Sequence, residues 1–154
     1  MARLDAIDRK ILKALQSNGK MTTGELAETV GLSPSPCARR VRMLEEAGVI
    51  TGYCAVVDAN KVGLPISAFA SIRLERQNEE NLDRFRDAIA KWPEVADCFM
   101  MTGQQDFLMR VVVADLAAYE RFLKDKLTRL DGVASIETSF ALGRVKTTKE
   151  LPLP

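Results

Sequence analysis

Histidine is absent from the 154 residues. That excludes a Ser-His-Asp triad, a Cys–His pair and a histidine metal site within one chain. Cysteine is scarce. Cys37, Cys54 and Cys98 are an odd number, and the gaps of 17 and 44 residues between them match no zinc-binding spacing. They are expected as reduced thiols in a cytoplasmic protein. No apolar run approaches the ~20 residues of a membrane span, and the opening "MARLDAIDRK" has no apolar signal segment. No paired carboxylates in an acid/base pattern and no phosphate loop occur, so neither an enzyme nor a cofactor is expected. Excess charge is also lacking: the net charge is +1, which names no partner for the whole molecule. Residues 1–64 carry nine Lys+Arg against seven Asp+Glu, and residues 65–154 carry thirteen against fourteen. Whatever charge informs is local.

The apolar content of 47% is that of a globular chain. In "LDAIDRKILKALQ", Leu4, Ile7, Ile11, Leu12 and Leu15 form one helical stripe, and Asn18-Gly19 stops it. Thr22 followed by Glu25 reads as a capping box. It opens the short helix "GELAETV", which ends at Gly31. A third helix starts at Pro34 or Pro36 and runs to Glu46 or Ala47. "VITGYCAVVD" is strand-like and leads into the Gly- and Pro-marked link "ANKVGLP". From residue 66 the alternation of Ile66, Ala68, Ala70, Ile72 and Leu74 marks a strand. A helix follows with the stripe Leu82, Phe85 and Ile89. "VADCFMMT" and "FLMRVVVA" are strands joined by "GQQD". A second helix carries Leu116, Tyr119, Leu123 and Leu127, and "ASIETSFAL" is the last strand. Strand–helix–strand–strand–helix–strand is the split βαβ, ferredoxin-like order. The expected class is α+β. Residues 1–50 form a helix-turn-helix, winged-helix-like domain, 51–65 a strand and linker, and 66–154 a ferredoxin-like βαββαβ domain.

The most informative stretch is "LSPSPCARRVRMLE". No acid occurs from Thr29 to Leu44, while Arg39, Arg40 and Arg42 crowd four positions. Proline is tolerated in the first helical turn because the N–H groups there have no partner. Ser33 and Ser35 each offer a capping hydroxyl, and the sequence does not choose between them. At 100° per residue Cys37, Val41 and Leu44 face inward, while Arg39, Arg42 and Ser35 face out. Arg40 lies on the flank, open to two readings: a phosphate contact, or a pair with an acid of the first helix. Ala27 is small where a following helix crosses, and Gly31 permits the left-handed turn. A short helix, a tight turn and a helix with a basic outer face make a helix-turn-helix, whose second helix enters a DNA major groove. Ser33, Ser35, Pro36, Arg39, Arg40 and Arg42 are the candidate DNA-binding residues. Backbone N–H groups at the helix start favour a phosphate.

The first 53 residues resemble the DNA-binding domain of the Lrp/AsnC, or feast/famine, regulators. "LD…D..IL..LQ" and "LSPSPC..RV..LE..GVI", with a following link that ends "VGLP" at residues 62–65, carry the resemblance. "MTGQQDFLMRVVVAD" and "SIETSFAL" resemble the family's ligand-sensing domain. The resemblance implies a transcriptional regulator that binds double-stranded DNA and responds to a small effector, usually an amino acid. It implies a homodimer built through the second domains, with higher assembly such as an octamer. It also implies an effector site at the loop holding a Gly-x-x-Asp motif, here Gly103 to Asp106, with Thr102 before it. Asp106 is then a partner for an α-ammonium group. The middle of the loop departs from the family pattern, because Gln104 and Gln105 replace an acidic or polar residue and an aromatic. Two amides give no charge preference, so the effector's identity stays open, and a plain strand-joining turn is the other reading. Met100, Met101 and Met109 are either pocket or core. Thr138 and Ser139 either line the effector site or follow strand alternation. The alternative to an effector-controlled regulator is an architectural DNA-binding protein of low specificity.

Overall fold

The computed structural model describes residues 4–148 and 150–153. The chain divides into two compact units. One comprises residues 1–56 with 146–154, and the other residues 57–145.

The first unit holds α1 (Ala6–Ser17), α2 (Thr23–Val30) and α3 (Pro34–Glu46). Each start has its own chemistry. Asp5 caps α1 and forms a reciprocal box with Asp8, and Thr22 does the same for α2 with Glu25. Ser33 is the cap residue of α3 by position, yet its hydroxyl makes no capping bond. Gly31 closes α2 at φ 77°, and the Leu32 N–H reaches back to the Ala27 carbonyl at 2.9 Å. Ile11, Leu12, Leu26, Ala27, Val30, Cys37 and Leu44 form the buried core. Cys37 faces inward as its position predicts. Ala27, 1% exposed, is the small residue at the helix crossing.

The second unit is a four-stranded antiparallel sheet of β1 (Ile66–Leu74), β2 (Val95–Met100), β3 (Phe107–Val113) and β4 (Val133–Phe140), in the order β2-β3-β1-β4. Helices α4 (Glu79–Ile89) and α5 (Leu116–Asp125) complete the ferredoxin-like arrangement. Ala68, Ala70, Ile72 and Leu74 of β1 alternate inward, as do Phe107, Met109, Val111 and Val113 of β3. They meet Phe85 of α4 and Tyr119 and Phe122 of α5. Phe85 stacks on Phe107 with ring centroids 4.3 Å apart. Met109 is therefore core, whereas Met100 and Met101 are exposed.

Two expectations need correction. "VITGYCAVVD" forms no strand, and Val56 and Val57 are 76% and 60% exposed. The β-branched pattern is present, but a strand needs a neighbour to satisfy its N–H and C=O groups, and the segment has none among the described residues. In α5, Leu116 is exposed rather than part of the buried stripe. Asp115 caps the helix, which begins at Leu116. That residue sits at the helix's very start, and Phe122 joins Tyr119 on the inner face instead. Leu127 is buried, but from a 3-10 turn, Leu127–Arg129, after α5 has ended.

Candidate nucleic-acid interface and effector loop

The outer face of α3 presents Ser33, Ser35, Pro36, Arg39 and Arg42, all exposed. No acidic side chain lies in the first turn of α3, and Glu45 and Glu46 come only at its end. Proline at positions 34 and 36 removes two N–H donors from this turn. The Ser35 N–H remains for an anion, with the uncapped helix dipole behind it. Arg39 and Arg42 make no ion pair among the described residues.

Arg40 is employed differently. Its Nη1 donates to Asp5 Oδ2 at 2.7 Å and to Asp8 Oδ1 at 2.8 Å. Of the two readings left open for this side chain, the structure shows the pair with the first helix. One guanidinium thus joins α3 to the capping box of α1. The Asp8 backbone N–H and the Arg40 guanidinium hold the Asp5 carboxyl below its ordinary range, and the two aspartates push Arg40 up. Arg40 belongs to the joint between helices, and Arg39 and Arg42 are left as the basic residues facing out.

In the second unit the β2–β3 loop is closed by the Met101 N–H, which donates to the Asp106 carbonyl at 2.8 Å. Gly103 sits at φ 114°, which a residue with a Cβ adopts only under strain. Thr102, Gly103 and Gln104 are exposed. Asp106 is not: at 6% exposure it is the buried charged residue of this unit. Its Oδ2 accepts from the Leu74 N–H at 2.6 Å, and its Oδ1 accepts from the Gln77 amide. Its own N–H donates to the Ile72 carbonyl at 2.8 Å. This carboxylate, the expected partner of an ammonium group, ties the loop to the end of β1. Gln105 is half-buried, and its Oε1 is enclosed with no hydrogen-bond partner among the described residues. An enclosed, unpaired acceptor costs about 1–3 kcal/mol.

Thr138 lies elsewhere. It pairs with Ala70 across β1, and its hydroxyl sits 2.6 Å from the Tyr119 hydroxyl. The loop opens off β3, on the other side of β1, roughly 10 Å away at the usual strand spacing. Within one chain the structure does not bring Thr138 to the loop. It turns toward α5, where Tyr119 also packs edge-on against Phe140. Ser139 faces the opposite side of the sheet by alternation. Sequence reasoning missed Gln77 and Tyr119. Neither carries a local signal, since each acts through a partner 29 or 19 residues away.

Comparison with known proteins agrees with this fold. Residues 4–51 match the model of a winged helix-turn-helix DNA-binding domain, and residues 67–151 that of the Lrp/AsnC ligand binding domain. The chain is 47% identical over 153 residues to the Bkd operon transcriptional regulator of Pseudomonas aeruginosa, covering 99% of this chain and 100% of that one. It is 44% identical to a leucine-responsive regulatory protein of Rhizobium meliloti, covering 93% and 92% of the two chains. A transcriptional regulator from Neisseria meningitidis, solved as an L-Met complex, superposes with a TM-score of 0.93 at 40% identity, over 97% of each chain.

Proposed function

Since the chain belongs to the Lrp/AsnC family of DNA-binding transcriptional regulators and not to an enzyme family, we propose that it is a sequence-specific regulator whose DNA binding is set by a small effector, an amino acid or a close derivative. The observation that carries the DNA half is the outer face of α3, where exposed Ser35, Pro36, Arg39 and Arg42 stand with no acid among them. Arg39 and Arg42 reach guanine edges or phosphates, and the Ser33–Ser35 start contacts the backbone. Two copies place two α3 helices in successive major grooves, about 34–36 Å apart. The surface suited to joining them is the open face of the sheet. There Phe69 and Phe99 are exposed apolar residues beside Leu108 and the Asp97–Arg110 ion pair. Higher assembly, such as an octamer, builds on that dimer.

For the effector, the support is the β2–β3 loop. Gly103 leaves room for a ligand's backbone to approach, Thr102 and Gln104 offer exposed polar groups, and the enclosed Gln105 Oε1 has no hydrogen-bond partner among the described residues. Asp106 fixes the loop and is a positioning residue. Relatives described as leucine-responsive or solved with L-Met make an amino acid the natural class to try. The test is a thermal-shift panel of the twenty amino acids and their close derivatives. A ligand at 100 times its dissociation constant adds ~2.7 kcal/mol. A hit that Gln105→Ala abolishes, without lowering the unliganded melting temperature, supports the site. No shift with any compound favours the low-specificity architectural reading, which equal affinity for selected and random DNA at ~0.15 M salt then establishes.

A further inference from the structure

The end of the chain returns to its beginning. Gln16, in the last turn of α1, holds the backbone of Leu151 from both sides. Its Oε1 accepts from the Leu151 N–H at 2.6 Å, and its Nε2 donates to the Leu151 carbonyl at 3.3 Å. One side-chain amide thus serves Leu151 as a neighbouring strand would. Two residues on, Leu153 is half-buried against the core of the DNA-binding unit. Pro152 stands between them, and Leu151 and Leu153 each precede a proline, which biases both toward extended backbone. The spacing between polar clasp and apolar anchor is thereby preset at small entropic cost. Residues 146–154 cluster with residues 1–56 as one unit. The chain therefore leaves the DNA-binding unit after Val56 and re-enters it at Lys146, five residues before Leu151.

We propose that residues 150–153 are a strap. They complete the DNA-binding unit by holding the end of the chain against α1 and its core. The route onward is on the same helix. Asp8 of α1 and its cap residue Asp5 grip Arg40 of α3, while Ile11 and Leu12 supply the core on which α2 and α3 rest. The strap acts on α1 at Gln16, and α1 acts on the DNA-reading helix through Arg40. Release of the strap weakens DNA binding without touching a DNA-contacting residue.

The test uses the full chain with Gln16→Ala, the full chain with Leu153→Ser, and a chain ended at Val145. The first readout is hydrogen exchange of the α1 amides. The second is affinity for a duplex that the unaltered protein selects from a randomised pool. The expected result is exchange in α1 about tenfold faster, DNA affinity several-fold lower, and exchange in β1 and β3 unchanged. The point variants keep the test valid if the shortened chain fails to fold. Unchanged α1 exchange in both point variants overturns the strap. Faster exchange with unchanged DNA affinity overturns it equally, since the contact is then packing alone.

Discussion

Asp106→Ala separates two roles that a carboxylate in this loop can have. In the structure the side chain is 6% exposed and accepts from the Leu74 N–H and the Gln77 amide. Removing it leaves a buried backbone N–H at the end of β1 without an acceptor. A hydrogen bond to a charged group is worth about 1.5–3 kcal/mol, and an orphaned buried donor costs a similar amount. Part of this is offset because the charge no longer has to be desolvated. A net loss of about 2 kcal/mol is expected, and in a domain of this size that lowers the melting temperature by roughly 8–15 °C. Asp106→Asn keeps an oxygen for Leu74, and Gln77 can turn its amide to present oxygen instead, so about 1 kcal/mol is expected there. Gln77→Ala alone loses about 1 kcal/mol, and combined with Asp106→Ala it loses less than the sum. The assay is the fluorescence of Trp92, the single tryptophan of the chain. It packs edge-on against Phe122 in the sensing unit, with ring centroids 5.5 Å apart. If Asp106→Ala melts at the temperature of the unaltered protein and only loses its ligand response, the positioning role is refuted and the carboxylate meets the ligand directly.

Arg39→Ala is expected to cost about 1–3 kcal/mol on a selected site and less on random duplex if Arg39 reads a base; equal loss on both, with the salt slope reduced by about one, makes it a phosphate contact. Arg40→Ala is expected to lower affinity for the selected duplex more than for random duplex and to speed hydrogen exchange in α1 and α3, because it breaks the joint with Asp5 and Asp8 that places the reading helix; unchanged exchange in both helices would contradict that. With iodoacetamide at neutral pH, exposed Cys54 reacts first and Cys37 last, since Cys37 is buried and its thiol is pushed up by burial; mass mapping of partial labelling gives the order. Asp5 is held low by the Asp8 N–H and Arg40, and Glu25 by the Thr22 backbone and hydroxyl, so their caps stabilise the fold above the ordinary values of 3.8 and 4.5. That stability is lost only as pH falls through the lower folded values. Circular dichroism should therefore show intact helices at pH 5, with fraying at pH 3 that is reduced in Glu25→Gln.

Features that depend on neighbours in sequence were legible before any coordinates. The Thr22–Glu25 box, the Gly31 turn, the inward Cys37 and the alternation through β1 and β3 are set by spacings of two to four residues. The chemistry of the loop was not legible, because it is decided by residues far away. Gly-Gln-Gln-Asp reads as a strand-joining turn with a carboxylate at its edge, and nothing local says that Leu74 and Gln77 claim that carboxylate. Arg40 is the intermediate case. Helical geometry put it on the flank, between core and solvent, and only the position of α1 decides between an acid and a phosphate. The segment after α3 failed for the opposite reason. Its residues favour a strand, yet propensity cannot supply the second strand.

The two arginines at positions 39 and 40 show how one basic run divides into two functions. They are adjacent, so they point about 100° apart on α3. Arg39 projects into solvent, on the face proposed to meet DNA. Arg40 turns back over α1, where two carboxylates neutralise it. Counting three positive charges on this helix therefore overstates its attraction for phosphate, which rests on Arg39, Arg42 and the Ser35 N–H. The third charge fixes where those groups are held. A base contact rewards placement within a few tenths of an ångström, so a side chain that holds the reading helix can matter to specificity as much as one that touches DNA. By the same reasoning Gln16, at the far end of α1 from Asp5, is a second position that holds the reading helix in place without any contact to DNA.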